Sequence, residues 1–251
     1  MSETIATVAE RVIDGKRRNA ALEFIIRLVR EKPLGTVGGV IVVLLLFAGI
    51  FADVIAPEGM NEPHPERYLA PPSAQNWLGC DNIGRDMLSR VIYGARVSLI
   101  VGLSATVLAT VISLVLGLTS GFIGGKVDLV IQRFVDAWMC FPGLIVLIVA
   151  VTVVGPGLWQ MIFVLSLMGI GGSRSIRGPV IAIRNDVYMQ AATAIGASTW
   201  RILVRHVLPN VMAPTIILFT TRMPGMILSE ASLSFLGLGI PPPTPSWGGM
   251  L

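Results

Sequence analysis

Residues 137–173, AWMCFPGLIVLIVAVTVVGPGLWQMIFVLSLMGIGGS, carry no charged side chain. At about 1.5 Å of rise per residue, one helix of that length would far overshoot a hydrocarbon core about 30 Å thick. Gly155-Pro156-Gly157 divides the run, because glycine and proline together break a helix at an aqueous boundary. Two membrane spans follow, over 137–154 and 158–173. The whole chain has the same character: of its 251 residues 53% are hydrophobic and 14% charged, with a mean hydropathy of +0.76. Soluble domains carry about 25% charged residues, and a soluble fold this poor in charge would expose large apolar patches and aggregate. The expected class is an all-α polytopic membrane protein.

Working outward, residues 1–33 form a polar N-terminal segment with seven Lys or Arg against five acids. The first apolar run covers 34–56, about the 20 residues a spanning helix needs. It is longer than the roughly 7–15 residues of a signal-peptide core, so a retained first span is expected rather than a cleaved leader. Residues 57–96 read as an external loop, rich in proline and polar groups, ending in an interfacial helix. In that helix Asp81 with Arg85, and Asp86 with Arg90, would pair at four-residue spacing. The main body is 97–251, with spans at 97–121, 137–154, 158–173 and 211–230 and an inner loop at 174–210. Five spans result. Gly94, Ser98 and Gly102, and again Gly117, Gly121 and Gly125, recur every four residues. Each stripe lets helix backbones approach closely in lipid, for which ordinary intramolecular packing suffices.

Lys and Arg orient this topology. With the N-terminus inside, the segments 1–33, 122–136 and 174–210 hold fourteen of the nineteen basic residues, as the positive-inside rule requires. The net charge of +4 and pI near 9.5 do not indicate nucleic acid, because the basic residues are spread through loops rather than gathered in one stripe. Cys80 and Cys140 form no disulfide framework, and His64 and His206 lack partner spacing. Neither a metal site nor a cofactor is expected, and no catalytic constellation appears.

The segment from Tyr188 to Asn210, YMQAATAIGASTWRILVRHVLPN, is small, Ala- and Gly-rich and flanked by basic residues. Residues 189–197 read as a short helix with an accessible backbone. Gly196 permits close approach or a positive φ, and Leu208-Pro209 gives the next span a rigid start. Such a helix can lie in another protein's groove or serve as a surface connector; the residues alone leave both open. Two ionisable residues fall within the last span, Arg222 and Glu230. About 12 Å apart along a helix, they are too distant for a routine pair. Arg222 suits either a translocation path or a helix interface. Glu230 suits a path or a place near the outer boundary.

Gln190-Ala191-Ala192, then Gly196, then Leu208-Pro209 has the spacing that resembles the EAA loop of bacterial ABC-importer permeases. LGCDNIGRDMLSRVIYGARVSL at 78–99 and ILSEASLSFLGLGIPPPTPSWGGML at 227–251 resemble the two flanking signatures of the dipeptide/oligopeptide/nickel branch. The match is most similar to the second permease subunit of such systems. Gln190 stands where a Glu is usual, and His206 where Ile is frequent; the spacing is kept. Members of that branch continue through a sixth span to a cytoplasmic C-terminus, which the sequence does not include.

The resemblance implies a type I ABC importer transmembrane fold in the bacterial or archaeal cytoplasmic membrane, with a cytoplasmic N-terminus. It implies a homologous permease as partner, two ABC ATPase subunits and an extracytoplasmic substrate-binding protein. ATP binding would draw the ATPases together and rock the permeases through a coupling helix marked by Tyr188, Gln190, Ala191, Ala192, Gly196 and Ala197, with Leu208 and Pro209 closing the loop. The chain itself has no phosphate-binding G-x4-G-K-[S/T], since Gly124-Gly125-Lys126 is followed by Val127. The implied cargo is di- or oligopeptides, with nickel or another small solute as the alternative. An ion-coupled secondary carrier would need paired ionisable residues and internal repeats, and neither is apparent.

Overall fold

The computed structural model describes residues 20–251; of the N-terminal segment expected over 1–33, residues 1–19 lie outside the described residues. The chain divides into two compact units, 1–47 and 48–251. In the first, helix α1 (Ala20–Glu31) is followed by α2 (Pro33–Ile50), which runs into the second. The break falls at Lys32, because a residue before proline is pushed out of the helical region. Thr36 Oγ1 lies 3.1 Å from the carbonyls of both Leu28 and Lys32 and so supplies a donor to the end of α1.

The second unit contains α3 (Ala52–Ile55), α4 (Met87–Ile123), α5 (Gly125–Met139), α6 (Gly143–Val154), α7 (Leu158–Ser166), α8 (Gly169–Arg184), α9 (Val187–Ala194), α10 (Thr199–Ile202) and α11 (Leu208–Phe235). A π-helical turn, Leu203–Val207, joins α10 to α11 without interruption. Three described helices are long and apolar enough to span a membrane: Pro33–Ile50, Met87–Ile123 and Thr199–Phe235. The pair α5 and α6, bent by 91°, qualifies together as a fourth.

Close contacts fix the relative directions of the helices in the second unit. A Cβ on Gly117 would lie 2.7 Å from Ile176 Cβ, and one on Gly121 2.9 Å from Val180 Cβ. Nearer the start of both helices, Gly169 sits directly on the backbone of Ala109. Residue numbers rise together on the two sides, so α4 and α8 run parallel. The segment between them, Gly125–Val154, therefore returns the chain toward the start of α4. Helix α11 runs the other way, since Ser98 meets Glu230 and Ser113 meets Arg222.

Both glycine stripes thus serve packing inside the chain. Gly94 faces Trp247 and Met250, and Gly102 faces Ile227. Gly125 does not belong to its stripe: α4 ends at Ile123, and Gly124 and Gly125 have φ of 69° and 56°. Buried hydroxyls are satisfied locally. Thr106 donates to Gly102 O at 2.6 Å, Thr110 to Thr106 O at 2.7 Å and Thr215 to Val211 O at 2.6 Å, which removes the cost of unpaired polar groups in an apolar medium.

Four expected boundaries move. The run 137–154 is interrupted at Cys140–Pro142, because Pro142 lacks an N–H and holds the chain out of the helix; α6 starts at Gly143. The run 158–173 is divided at Leu167–Met168, and α8 continues to Arg184, well into the expected inner loop. The span expected at 211–230 is part of continuous helix from Thr199 to Phe235. The interfacial helix expected near Asp81–Arg90 is not a separate element. Residues 79–86 form a hydrogen-bonded loop, and Met87 opens the first turns of α4. Asp81 does pair with Arg85 at 2.7 Å. Asp86, however, caps α4, accepting from Ser89 N at 2.7 Å, Ser89 Oγ at 2.8 Å and Asn76 Nδ2 at 3.0 Å.

Burial opposes ionisation of Asp86. Its amide and hydroxyl donors together outweigh that, and hold the carboxyl below its ordinary value of 3.8. A group with a depressed folded pKa stabilises fully above the unfolded value and loses that contribution as pH falls through the folded one. Asp86→Ala should cost about 1 kcal/mol, as lost helix caps do. The difference in melting temperature from the native chain should be full at neutral pH and shrink below pH 3.8. A difference that stays constant on acidification would contradict the capping role.

Candidate functional site

The segment singled out in the sequence forms a closed structural unit at one end of the bundle. Helix α9 starts after Asp186 and is anchored by Met189 and Ala192, which are buried with Ile176, Val180, Ile202, Val207 and Val211. The rest of the helix faces outward. Tyr188, Gln190 and Ala191 are exposed, and Val187 and Ile195 are 80% and 86% exposed. Trp200, at the start of α10, is 75% exposed. The outward surface is therefore apolar and aromatic, an unusual choice for a segment in water.

Gly196 ends the helix. Its φ is +79°, the left-handed conformation in which a side chain is strained. Gly196 N donates to Thr193 O at 3.0 Å and Ala197 N to Ala192 O at 3.1 Å, the two bonds of a Schellman closure. Ala197 turns back onto the cluster that holds Ala192. Ser198 then caps α10, its hydroxyl accepting from Arg201 N. Leu208 packs against the same cluster while Pro209 is exposed at the start of α11. The π-helical turn over Leu203–Val207 precedes the proline, and Asn210 Nδ2 gives the His206 carbonyl a donor at 2.7 Å. Pro209 therefore does not open a new helix; it sits within a continuous one.

The structure brings Tyr188, Gln190, Ala191, Ala192, Gly196, Ala197 and Leu208 into this one unit. Sequence reading did not separate the inward residues, Met189 and Ala192, from the outward ones. It also passed over Val187, Ile195 and Trp200, although Val187, Ala191 and Ile195 recur every four residues and so share a helix face.

Ionic contacts fasten α5 to α8, the helix that leads into this unit. Arg177 Nε donates to Asp128 Oδ1 at 2.7 Å, Ser120 Oγ donates to the same carboxylate, and Arg174 pairs with Asp136. Gly124, at the end of α4, lies under the Arg184 guanidinium. The α9 unit is thus at the C-terminal end of α4. The folded loop preceding Met87, and Trp247, whose Nε1 donates to Val91 O at 3.1 Å, are at the other end, about 55 Å away along a helix of 37 residues.

Arg222 and Glu230 are not brought together. Arg222 Nη1 donates to Ser113 Oγ at 2.9 Å, and its guanidinium fills the space left by Gly172. No carboxylate pairs with it among the described residues. Glu230 is fully buried, accepting from Ser98 Oγ at 2.9 Å and Ser234 Oγ at 2.8 Å. Both side chains tie α11 to α4.

A parallel–antiparallel bundle with several helices long and apolar enough to span a bilayer is the architecture of a multi-pass membrane protein. Residues 113–251 match the family described as "Binding-protein-dependent transport system inner membrane component". The chain is 39% identical over 227 residues to the glutathione transport system permease protein GsiD of Escherichia coli O6:K15:H31 (strain 536 / UPEC), covering 90% of this chain and 75% of that one. It is 40% identical over the same shares to the GsiD protein of Shigella flexneri serotype 5b (strain 8401). The chain belongs to this permease family: it is a permease subunit of an ABC importer, a class without an ATPase site of its own.

Gly196→Ala should strain the α9 closure by about 1–2 kcal/mol. Amide exchange in residues 187–197 should quicken about five- to thirty-fold by that energy, with α4 unaffected. Equal quickening throughout the bundle, or none, would contradict a local closure.

Proposed function

We propose that this chain is one of two homologous permeases that together import di- or oligopeptides, or peptide-like solutes such as a tripeptide, and that α9 is the helix on which an ATPase subunit docks. The docking reading rests on one observation: a short helix, buried on one side and closed by Gly196, presents Val187, Tyr188, Ile195 and Trp200 to water. A docked protein would cover those apolar groups. The peptide reading draws support from the glutathione named for the relatives and from the signatures at 78–99 and 227–251.

In this reading the N-terminus and α9 are cytosolic, and the loop over 57–86 faces the binding protein. ATP-driven closure of the ATPases displaces α9. Because α9 shares a buried cluster with α8 and α11, the displacement becomes a rotation of packed helices rather than a bend within a loop. Arg222, held at mid-span by Ser113, supplies a positive charge beside the path, and Glu230 sets the spacing of α4 and α11.

The test is ATP-dependent uptake by the complex reconstituted with its partner permease, ATPases and binding protein. Gly196→Glu should abolish uptake and release the ATPase, while the permeases still copurify. Arg222→Ala should slow peptide uptake by about tenfold or more, the order expected for loss of one charge-assisted contact. In a Cys140→Ser background, Ala191→Cys should cross-link to the ATPase subunit. Normal uptake with Gly196→Glu, or labelling of Ala191→Cys from the binding-protein side, would overturn the proposal.

A further inference from the structure

In the first turn of α4 a buried arginine lacks the partner its burial calls for. Arg90 is 8% exposed, and its Nη1 has no hydrogen-bond acceptor among the described residues. The acids around it are committed elsewhere. Asp81 Oδ1 accepts from Ile83 N and Arg85 N, both at 3.0 Å, and its Oδ2 accepts from Arg85 Nε at 2.7 Å. Arg90 Nε stands 3.7 Å from that same Oδ2, beyond hydrogen-bond reach. Asp86 is taken by Ser89 and Asn76. Glu230 is held by Ser98 and Ser234, about 12 Å further along α4. Two guanidinium groups therefore share one carboxylate, which leaves a positive charge over inside the protein. A charge so placed is costly unless something pairs with it.

Arg90 lines a cavity of about 150 Å³ together with Asp81, Asn82, Arg85, Gly249 and Met250. Asn82 and Gly249 are exposed while Arg90 is buried, so the cavity opens between the loop before α4 and the turn after Trp247. Its volume far exceeds the roughly 30 Å³ of one water. It falls short of the roughly 300–1,000 Å³ that hold small-molecule ligands. One short side chain fits. A carboxylate there would meet Arg90 and the Arg85 guanidinium in charge-assisted hydrogen bonds. The surface beside the mouth is apolar: Ile83 is exposed, and so is Leu69, whose N–H donates to the Asp81 carbonyl at 3.1 Å. A buried charge with apolar groups around it is how protein–protein contacts exclude water from an anchoring arginine.

We propose that this cavity receives an aspartate or glutamate side chain of the extracytoplasmic substrate-binding protein, and that Arg90 is the anchor that pairs with it. Position favours that partner, because the cavity is built on the loop before Met87, at the end of the bundle opposite α9. This role rests on the reading that residues 57–86 face the binding protein, and it specifies the chemistry of that contact.

Docking of the binding protein is measured by interferometry on the permease pair with its ATPases in nanodiscs. Arg90→Gln should weaken docking about thirty-fold or more, mainly through faster dissociation, as loss of one partner of a buried charged pair does. Asn82→Asp leaves Arg90 in place and brings a carboxylate to the mouth; it should weaken docking about tenfold or more. The acids of the binding protein are then changed singly to their amides. One of them should lose its effect on docking in the Arg90→Gln background, and that residue is the one the cavity receives. Full effects of every acid in that background would overturn the proposal. So would loss of the partner permease with Arg90→Gln while Asn82→Asp docks normally, because Arg90 would then hold the permeases together instead. A neutral, bulky Ile83→Trp separates the cavity from the reading beneath it. Weak docking with Ile83→Trp alone would keep the loop on the docking surface and remove only the carboxylate site. Normal docking in all three variants would remove the loop itself.

Discussion

Two helices running in the same direction, α4 and α8, touch backbone to backbone because Gly117, Gly121 and Gly169 have no side chain in the way. In lipid there is no hydrophobic drive to hold helices together, so close approach and interhelical hydrogen bonding must do it. Ser113 shows both at once: its hydroxyl lies 2.6 Å from the Gly169 carbonyl and accepts from Arg222. Through this seam α8 is fixed to α4, and α11 is fixed to the same helix from the antiparallel side. Everything at the C-terminal end of α8, including α9, inherits that rigidity.

The consequence for transport is mechanical. Helix α9 is short and exposed, yet Met189 and Ala192 seat it on residues from α8, α10 and the start of α11. A force applied to its outer face reaches α8 and α11 directly through this buried cluster. The ionic contacts Asp128–Arg177 and Asp136–Arg174 add α5 to the same body. Such packed bodies switch between arrangements rather than deform gradually, which suits a subunit whose energy comes from another protein.

Much of this was legible in the sequence, and the reason differs residue by residue. Gly155-Pro156-Gly157 breaks a helix wherever it stands, so the division after Val154 was readable. Gly196 was readable as a position for positive φ because few other residues tolerate one, and the spacing to Leu208-Pro209 marked the loop. Contacts that depend on a distant partner were not. Asp86 looked like the i, i+4 partner of Arg90 and is instead the cap of α4, because Asn76 folds back onto it. Arg222 gave no hint that it rests on Gly172, a residue fifty positions earlier. The direction of each side chain on α9 was hidden for the same reason: Ala191 and Ala192 are alike in sequence, and only the cluster from α8 and α11 makes one of them inward.

The claim that an ATPase covers the outer face of α9 is tested most directly by hydrogen exchange of residues 187–200, compared between the permease pair alone and the complete nucleotide-bound complex. Slower exchange confined to this segment and the adjoining turns, with 57–86 unchanged, is the result the account predicts. Unchanged exchange at 187–200 alongside protection elsewhere on the same end of the bundle would contradict it.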